Sequence, residues 1–259
     1  MPPTDAAFAP NAWLRIDEDG TITFVIDKSE MGQGITTALP QLIAEELEVG
    51  LENISLAFAP AHPAYRSPLM GMQMTGGSTS VLTAWEPLRE AGATARWLLR
   101  EAAAQRWSVA ADQVRMLDGT AIHPDGSTLT YGELATAAAA IPLPETVDLK
   151  DPSEFRIIGK SPHRLDIPAK TRGEATFGVD AGPADARVAV VARSPVFGGS
   201  VGSYDPAPAL AVEGVHEIVD IESGVAIVAD GYWPAKKGRD ALEITWNEGA
   251  GAEIDDAEI

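Results

Sequence analysis

Two short segments concentrate the residues able to hold a polar ligand. The first is Met31-Gly32-Gln33-Gly34-Ile35-Thr36-Thr37. Glycines between a strand and a helix let the backbone approach a ligand closely, and a helix N-terminus offers unpaired N–H groups and a positive dipole end to phosphate. The Gln33 amide can both donate and accept, and Thr36 and Thr37 add hydroxyls. The second segment is Gln73-Met74-Thr75-Gly76-Gly77-Ser78-Thr79-Ser80-Val81. It is again rich in glycine and hydroxyls and again runs into a helix, so Ser78, Thr79 and Ser80 can bind a phosphate or the edge of a heterocycle. Each segment has a plainer alternative, a tight turn before an ordinary capped helix, because short glycine motifs are weak alone. Two anion-compatible helix starts in one small domain favour a phosphorylated, heterocyclic ligand.

Composition narrows the chemistry. The chain has no cysteine, which excludes thiolate zinc sites, disulfides and iron–sulfur clusters bound by its own residues. The four histidines, His62, His123, His163 and His216, are never three or four residues apart, which argues against a histidine metal site. Any metal would arrive within a cofactor. A net charge of -19 opposes nucleic-acid binding. No apolar run is long enough to span a membrane. Met1-Pro2-Pro3-Thr4-Asp5 has neither the basic nor the apolar region of a secretory leader, and the compartment, periplasm or cytoplasm, is left open.

The elements that must position the two segments can be read from periodicity. Trp13 to Lys28 predicts two short strands around the turn Asp17-Glu18-Asp19-Gly20. A helix follows the first glycine segment, with Thr36 or Thr37 as cap, Pro40 in its first turn, Leu39, Leu42, Ile43 and Leu47 on one face, and Gly50 ending it. Glu30, Glu45 and Glu46 read as loop and helix-surface carboxylates. Asn53 to Ala59 is a strand, Pro60 to Gly77 a long loop in which Met70, Met72 and Met74 are packing residues, and Ser80 to Trp107 a long helix weakened at Gly92. A short helix starts at Tyr131. Prolines 142, 144 and 152 mark a boundary. Beyond it, strands are expected at 176–179, 188–192, 215–221, 225–229 and 242–246, with helices near 206–212 and 232–241. Phe197-Gly198-Gly199 is a bend between strands. His62 and His163 are expected at the surface and His216 on a strand.

The two glycine segments together resemble the xanthine dehydrogenase and aldehyde oxidase superfamily, and in particular the large (β) subunit of isoquinoline 1-oxidoreductase-type enzymes. The likeness continues through Trp85-Glu86-Pro87-Leu88-Arg89, Tyr131-Gly132-Glu133-Leu134-Ala135 and Phe155-Arg156-Ile157-Ile158-Gly159. It then takes in Arg164-Leu165-Asp166-Ile167-Pro168-Ala169-Lys170, Gly173-Glu174-Ala175-Thr176-Phe177-Gly178 and Gly224-Val225-Ala226-Ile227-Val228-Ala229. It therefore covers about Phe8 to Trp246. Each piece is weakly specific, and their order and spacing carry the resemblance.

The resemblance implies a mixed α+β chain. Residues 1–150 would be the N-terminal part of a molybdopterin-binding domain, 151–248 an α/β hammerhead domain, and 249–259 an acidic linker or tail. In xanthine dehydrogenases the glycine–glutamine segment follows the hammerhead, so the order here resembles a circular permutation. It also implies molybdopterin cytosine dinucleotide, approached by Gly32, Gln33 and Gly34 on one side and by Gly77, Ser78, Thr79 and Ser80 on the other. The implied reaction hydroxylates N-heterocycles or oxidises aldehydes with oxygen from water. Its glutamate base would lie near the C-terminus of a longer subunit, so no catalytic residue is assigned here and the isolated chain is expected to be inactive. Implied partners are the remaining molybdopterin-binding domains and a small [2Fe-2S] subunit. The competing readings are a non-catalytic scaffold derived from the family, and an unrelated nucleotide- or phosphate-binding α/β protein.

Overall fold

The computed structural model describes residues 8–254, so the reading of Met1 to Asp5 and the end of the acidic tail lie outside the described residues. The chain divides into two compact units, one running through Ala175 and the other starting at Thr176. Together they make a mixed α+β chain of helices and small sheets.

In the first unit β1 (Leu14–Ile16) and β2 (Ile22–Ile26) pair antiparallel around the Asp17–Gly20 turn. The chain then passes through the first glycine segment into α1 (Ile35–Leu47) and returns as β3 (Ile54–Phe58), parallel to β2. This is the strand–loop–helix–strand order expected from the sequence. The long helix α2 (Ser80–Trp107) packs along α1. A three-stranded antiparallel meander follows, β4 (Arg115–Leu117), β5 (Thr120–Ile122) and β6 (Thr128–Thr130), and then α3 (Tyr131–Ala139). Thr130 and Glu133 form a capping box at the start of α3. Ile22, Phe24 and Ile26 of β2, Leu39, Ile43 and Leu47 of α1, and Leu88, Leu98 and Leu99 of α2 share one core.

Gly92 is more than a weak point in α2. A Cβ there would lie 2.7 Å from the Ile43 carbonyl oxygen and 3.1 Å from Glu46 Cβ. The missing side chain lets the α1 and α2 backbones meet.

Several expectations about α1 are corrected. Thr36 and Thr37 lie inside the helix and do not cap it, since the N-cap is Gly34 in a left-handed conformation. Pro40 is past the first turn, where its missing N–H leaves the Thr36 carbonyl without its helical partner. The helix ends before Gly50, with Glu48 left-handed at φ 60°. Glu48 is held there by ion pairs to Lys150 (2.7 Å) and Arg156 (3.0 Å).

Glu45 and Glu46 are not surface residues, being 1% and 0% exposed. Glu45 accepts backbone N–H bonds from Arg156, Ile157 and Ile158 and pairs with Lys150 Nζ at 2.9 Å. Burial alone would raise its pKa, but the Lys150 ammonium and the three amides hold it below the ordinary carboxylate value. Glu46 pairs with Arg89 at 2.7 Å and accepts the Lys150 N–H at 3.2 Å. Arg89 also donates to the Lys150 carbonyl at 2.7 Å and sits 5.3 Å from the Trp85 ring and 5.0 Å from the Phe155 ring. The 150–158 segment is thus tied to α1 and α2. That is why the first compact unit continues past the proline cluster, where the sequence suggested a boundary.

The unit ends with α4 (Ile167–Arg172). The second unit holds two small sheets. β7 (Val188–Ala192), β9 (Val215–Ile221) and β10 (Gly224–Ala229) form one, in the order β7-β10-β9. β8 (Ser200–Tyr204) pairs with β11 (Ile244–Asn247) in the other. The short α5 (Ala207–Leu210) and the longer α6 (Tyr232–Ala241) cover the first sheet, with Val225, Ile227 and Ala229 buried beneath. The strand expected at 176–179 does not form, because no strand pairs with it, and Val179 is fully in solvent. Phe197-Gly198-Gly199 is the turn between β7 and β8. His216 lies on β9 and pairs with Asp230. Gly249–Glu253 is a short turn of 3-10 helix.

Two outcomes follow for stability. Gly92→Ala overpacks the α1–α2 contact and costs roughly 1–3 kcal/mol despite the better helix former, read as a lowered urea midpoint. Glu46→Ala leaves Arg89 buried without its carboxylate and costs ~3–5 kcal/mol in the same measurement. An unchanged midpoint for Glu46→Ala would show that the pair does not hold the unit together.

Candidate functional site

The first glycine segment is a loop closed by its own side chains. Glu30 Oε1 accepts from the backbone of Gly32 (2.8 Å) and Gly34 (3.0 Å), and Oε2 from the backbone (3.1 Å) and hydroxyl (2.9 Å) of Thr36. The carboxylate therefore occupies the N-terminus of α1, where the dipole favours a negative charge. Burial is the largest single influence and raises its pKa, but the donors together outweigh it and bring it down to about 2. The expected open phosphate seat at α1 is already filled from within the chain. Gly34 adopts φ 86°, a conformation that favours glycine.

The Gln33 amide also turns inward. Its Oε1 accepts from Met31 N at 2.6 Å and its Nε2 donates to the Ser29 carbonyl at 2.8 Å. Both bonds are solvent-exposed, so the amide can be released to a ligand at small cost. Arg164 braces the loop from outside, donating to the Gly32 carbonyl at 2.9 Å while its fork holds Asp166 at 2.6 and 2.9 Å. Hydrogen bonds from Arg164 and Lys170 keep the Asp166 carboxyl well below the usual range. Leu165 N donates to Thr37 Oγ1 at 3.0 Å, so Thr37 anchors this segment and does not cap the helix.

The second glycine segment is brought to the first by one bond. Ser29 N donates to Thr75 Oγ1 at 2.8 Å, across 46 positions of sequence. A cleft of about 270 Å³ lies at this junction, lined by Asp27, Ser29, Ala61, Gln73, Met74 and Thr75. Gln73 Oε1 also accepts from His62 N at 3.2 Å, which ties the intervening loop to the same place. Gly77 (φ 62°) and Ser78 (φ 56°) are both left-handed, leading to Thr79 as N-cap of α2. Thr79 uses its hydroxyl on the Gly76 carbonyl at 2.9 Å, so no side chain caps the helix. Among the described residues the N–H groups of Ser80, Val81 and Leu82 meet no acceptor. The α2 start is thus the unfilled counterpart of α1. Around these loops Met31, Leu69, Met70, Met72, Val81 and Leu82 are exposed.

Sequence reasoning singled out Gly32, Gln33, Gly34, Gly77, Ser78, Thr79 and Ser80. It missed Glu30 as the α1 cap, Arg164 as the brace and Thr75 as the link. The only local hint was Glu30 preceding the glycines. Arg164 and Thr75 act over long sequence separations that leave no local pattern. Among the described residues no group of three His, Cys, Asp or Glu side chains could hold a metal ion directly. Nor is any helix long and apolar enough to cross a membrane.

A family model described as the molybdopterin cofactor-binding domain matches residues 1–182. The chain is 33% identical over 280 aligned positions to the beta subunit of isoquinoline 1-oxidoreductase from Brevundimonas diminuta, covering 94% of this chain and 36% of that protein. It is 31% identical to the membrane-bound aldehyde dehydrogenase [pyrroloquinoline-quinone] of Gluconacetobacter polyoxogenes, covering 95% of this chain and 33% of that one. With the B subunit of nicotinate dehydrogenase from Pseudomonas putida the identity is 29%, over 90% of this chain and 20% of the relative. The chain thus spans about a third or less of the length of these curated relatives.

The Glu30 cap has a pH signature. Its folded pKa, about 2, lies below the ordinary 4.5, so its contribution is complete above about pH 4.5 and is lost as pH falls toward 2. Amide exchange at Gly32, Gly34 and Thr36 is expected to accelerate over that window relative to core amides. Glu30→Gln, which keeps a carbonyl acceptor but no charge, removes the titration and costs about 0.5–2 kcal/mol. An identical exchange profile in both proteins would rule out the carboxylate as the cap.

Proposed function

The chain belongs to the molybdopterin cofactor-binding domain family, and from that premise we propose that it is part of the cofactor-binding subunit of a molybdenum hydroxylase. The enzyme would oxidise N-heterocycles or aldehydes, with water as the source of oxygen. The observation that carries this reading is the Ser29–Thr75 hydrogen bond, which joins the two glycine loops into one surface.

The donors present fit the group unevenly, and that unevenness orients it. Glu30 makes the α1 loop a poor seat for phosphate, because a second negative charge there would be repelled. The Gln33 amide suits the neutral hydrogen-bonding edge of a pterin, and Gly32 and Gly34, whose N–H groups are held by Glu30, would let that edge come close to the backbone. The unpartnered N–H groups at the start of α2, with Gly77, Ser78, Thr79 and Ser80, suit an anionic part of the same cofactor. The molybdopterin would be the cytosine dinucleotide form. When bound, its molybdenum centre supplies the redox chemistry. This chain's residues bind and orient.

Glu30, Glu45, Glu46 and Asp27 are committed to the chain's own donors, Asp27 on the cleft lining through its hydrogen bond from Lys28. Glu30 caps α1, and Glu45 and Glu46 are locked into buried ion pairs. The general base therefore comes from outside these residues, and the isolated chain does not turn over substrate. Residues 151–248 would contain the hammerhead domain, with its sheets in the second compact unit. The remaining large-subunit domains and a small [2Fe-2S] subunit would complete the enzyme, since this chain has no cysteine to ligate a cluster. Isoquinoline-like and nicotinate-like heterocycles and aldehydes are the substrate classes suggested by the relatives' names.

The test is cofactor content in the protein purified from its host together with its partners. Molybdenum and an oxidisable pterin are expected in stoichiometric amount. Thr75→Val is expected to lower molybdenum content several-fold while shifting stability by no more than about 1.5 kcal/mol. Pyrroloquinoline quinone in place of molybdenum would replace the cofactor assignment. A partnered protein with neither group would favour a non-catalytic scaffold.

A further inference from the structure

A separate cavity of about 240 Å³ in the first unit lies between the end of β2, the 64–68 segment and the first turns of α2. It shares only Asp27 with the cleft between the glycine loops. Three of its lining residues bring hydrogen-bonding groups that the chain leaves wholly or partly unused. Lys28 is 4% exposed, and its ammonium makes one hydrogen bond, to Asp27 Oδ2 at 2.8 Å. Ser67 is 3% exposed, and its hydroxyl has no partner. Trp13 Nε1 is shielded from solvent and likewise has none. Ser67 is not loosely placed, because its backbone N–H bonds to the Met72 carbonyl at 2.9 Å and its carbonyl receives Gly71 N at 2.9 Å.

The chemistry of these groups limits what can satisfy them. An indole N–H and an ammonium only donate, so the missing partner must accept. A water accepts two hydrogen bonds at most, whereas a carboxylate offers about four acceptor positions. The charges agree. Lys28 and Arg66 face a single Asp27 carboxylate on the lining, an excess of one positive charge. The lining that α2 contributes is largely apolar, with Ala84, Pro87 and Leu88 beside Thr83.

We propose that this cavity binds a short aliphatic monocarboxylate, with the carboxylate on Lys28, Ser67 and Trp13 and the tail against Pro87 and Leu88. This site is independent of the molybdenum reading, since it uses neither glycine loop and needs no cofactor.

The experiment is a titration of the ¹⁵N-labelled 259-residue chain with sodium butyrate, against sodium chloride at matched ionic strength, following the indole N–H resonances. Trp13→Phe assigns the resonance of Trp13. The expected result is a saturable shift of that resonance with butyrate alone, while Trp233, exposed in the second unit, stays still. Ser67→Ala removes a hydroxyl that bonds nothing in the chain, so the fold is kept and butyrate binding weakens about 3- to 10-fold. Lys28→Met is expected to abolish saturation. Absence of a saturable shift in the folded chain overturns the proposal. So does an equal response to chloride, or binding unchanged in Ser67→Ala.

Discussion

Adjacent carboxylates in the last turn of a helix are tolerated in a protein interior only when each is met by its own donors. Glu45 and Glu46 of α1 are met in that way from two directions. Three consecutive amides and an ammonium close on one, and two arginines on the other. Removing charge from water is costly, so these contacts add little net stability compared with an apolar core. What they fix is register. The 150–158 segment can sit against α1 in only one alignment, and Arg89 then meets Trp85 and Phe155 at once. The Trp85–Arg89 and Phe155–Gly159 segments are therefore two halves of one joint.

The same logic, a carboxylate satisfied by amides, operates at the other end of α1 with a different result. Glu30 completes its own loop and makes the α1 entrance electrostatically closed to anions. The α2 entrance has no such residue. Two glycine-rich helix starts that look alike in sequence are thus unlike in charge, and their contrast gives direction to anything bound between them. Arg164 and Asp166 brace the closed entrance from a distant segment.

Elements whose signal is local were legible in the sequence. The Asp-Gly turn, the alternation of Thr21 to Asp27, the face of Leu39, Leu42, Ile43 and Leu47, and the long α2 all depend on neighbours within a few residues. Interactions spanning the chain were not. Glu45 and Glu46 carry the same sequence signature as solvent-facing helix carboxylates, and only donors distant in sequence, from 43 to 113 positions away, distinguish them. The glycine segments themselves could be picked out, but the bond joining them rests on Ser29 and Thr75, which are ordinary residues in isolation. Thr176-Phe177-Gly178-Val179 shows the opposite failure. Its composition suits a strand, yet a strand needs a partner to form, and none is offered.

The exposed methionines beside the loops have a consequence for the chain's chemical ageing. Met31, Met70 and Met72 carry their thioethers in solvent, whereas Met116 is buried in the core. Peroxide reaches an exposed thioether first and turns it into a polar sulfoxide. With no cysteine to compete for oxidant, oxidative damage among the described residues begins at the methionines beside the two glycine loops and spares the interior.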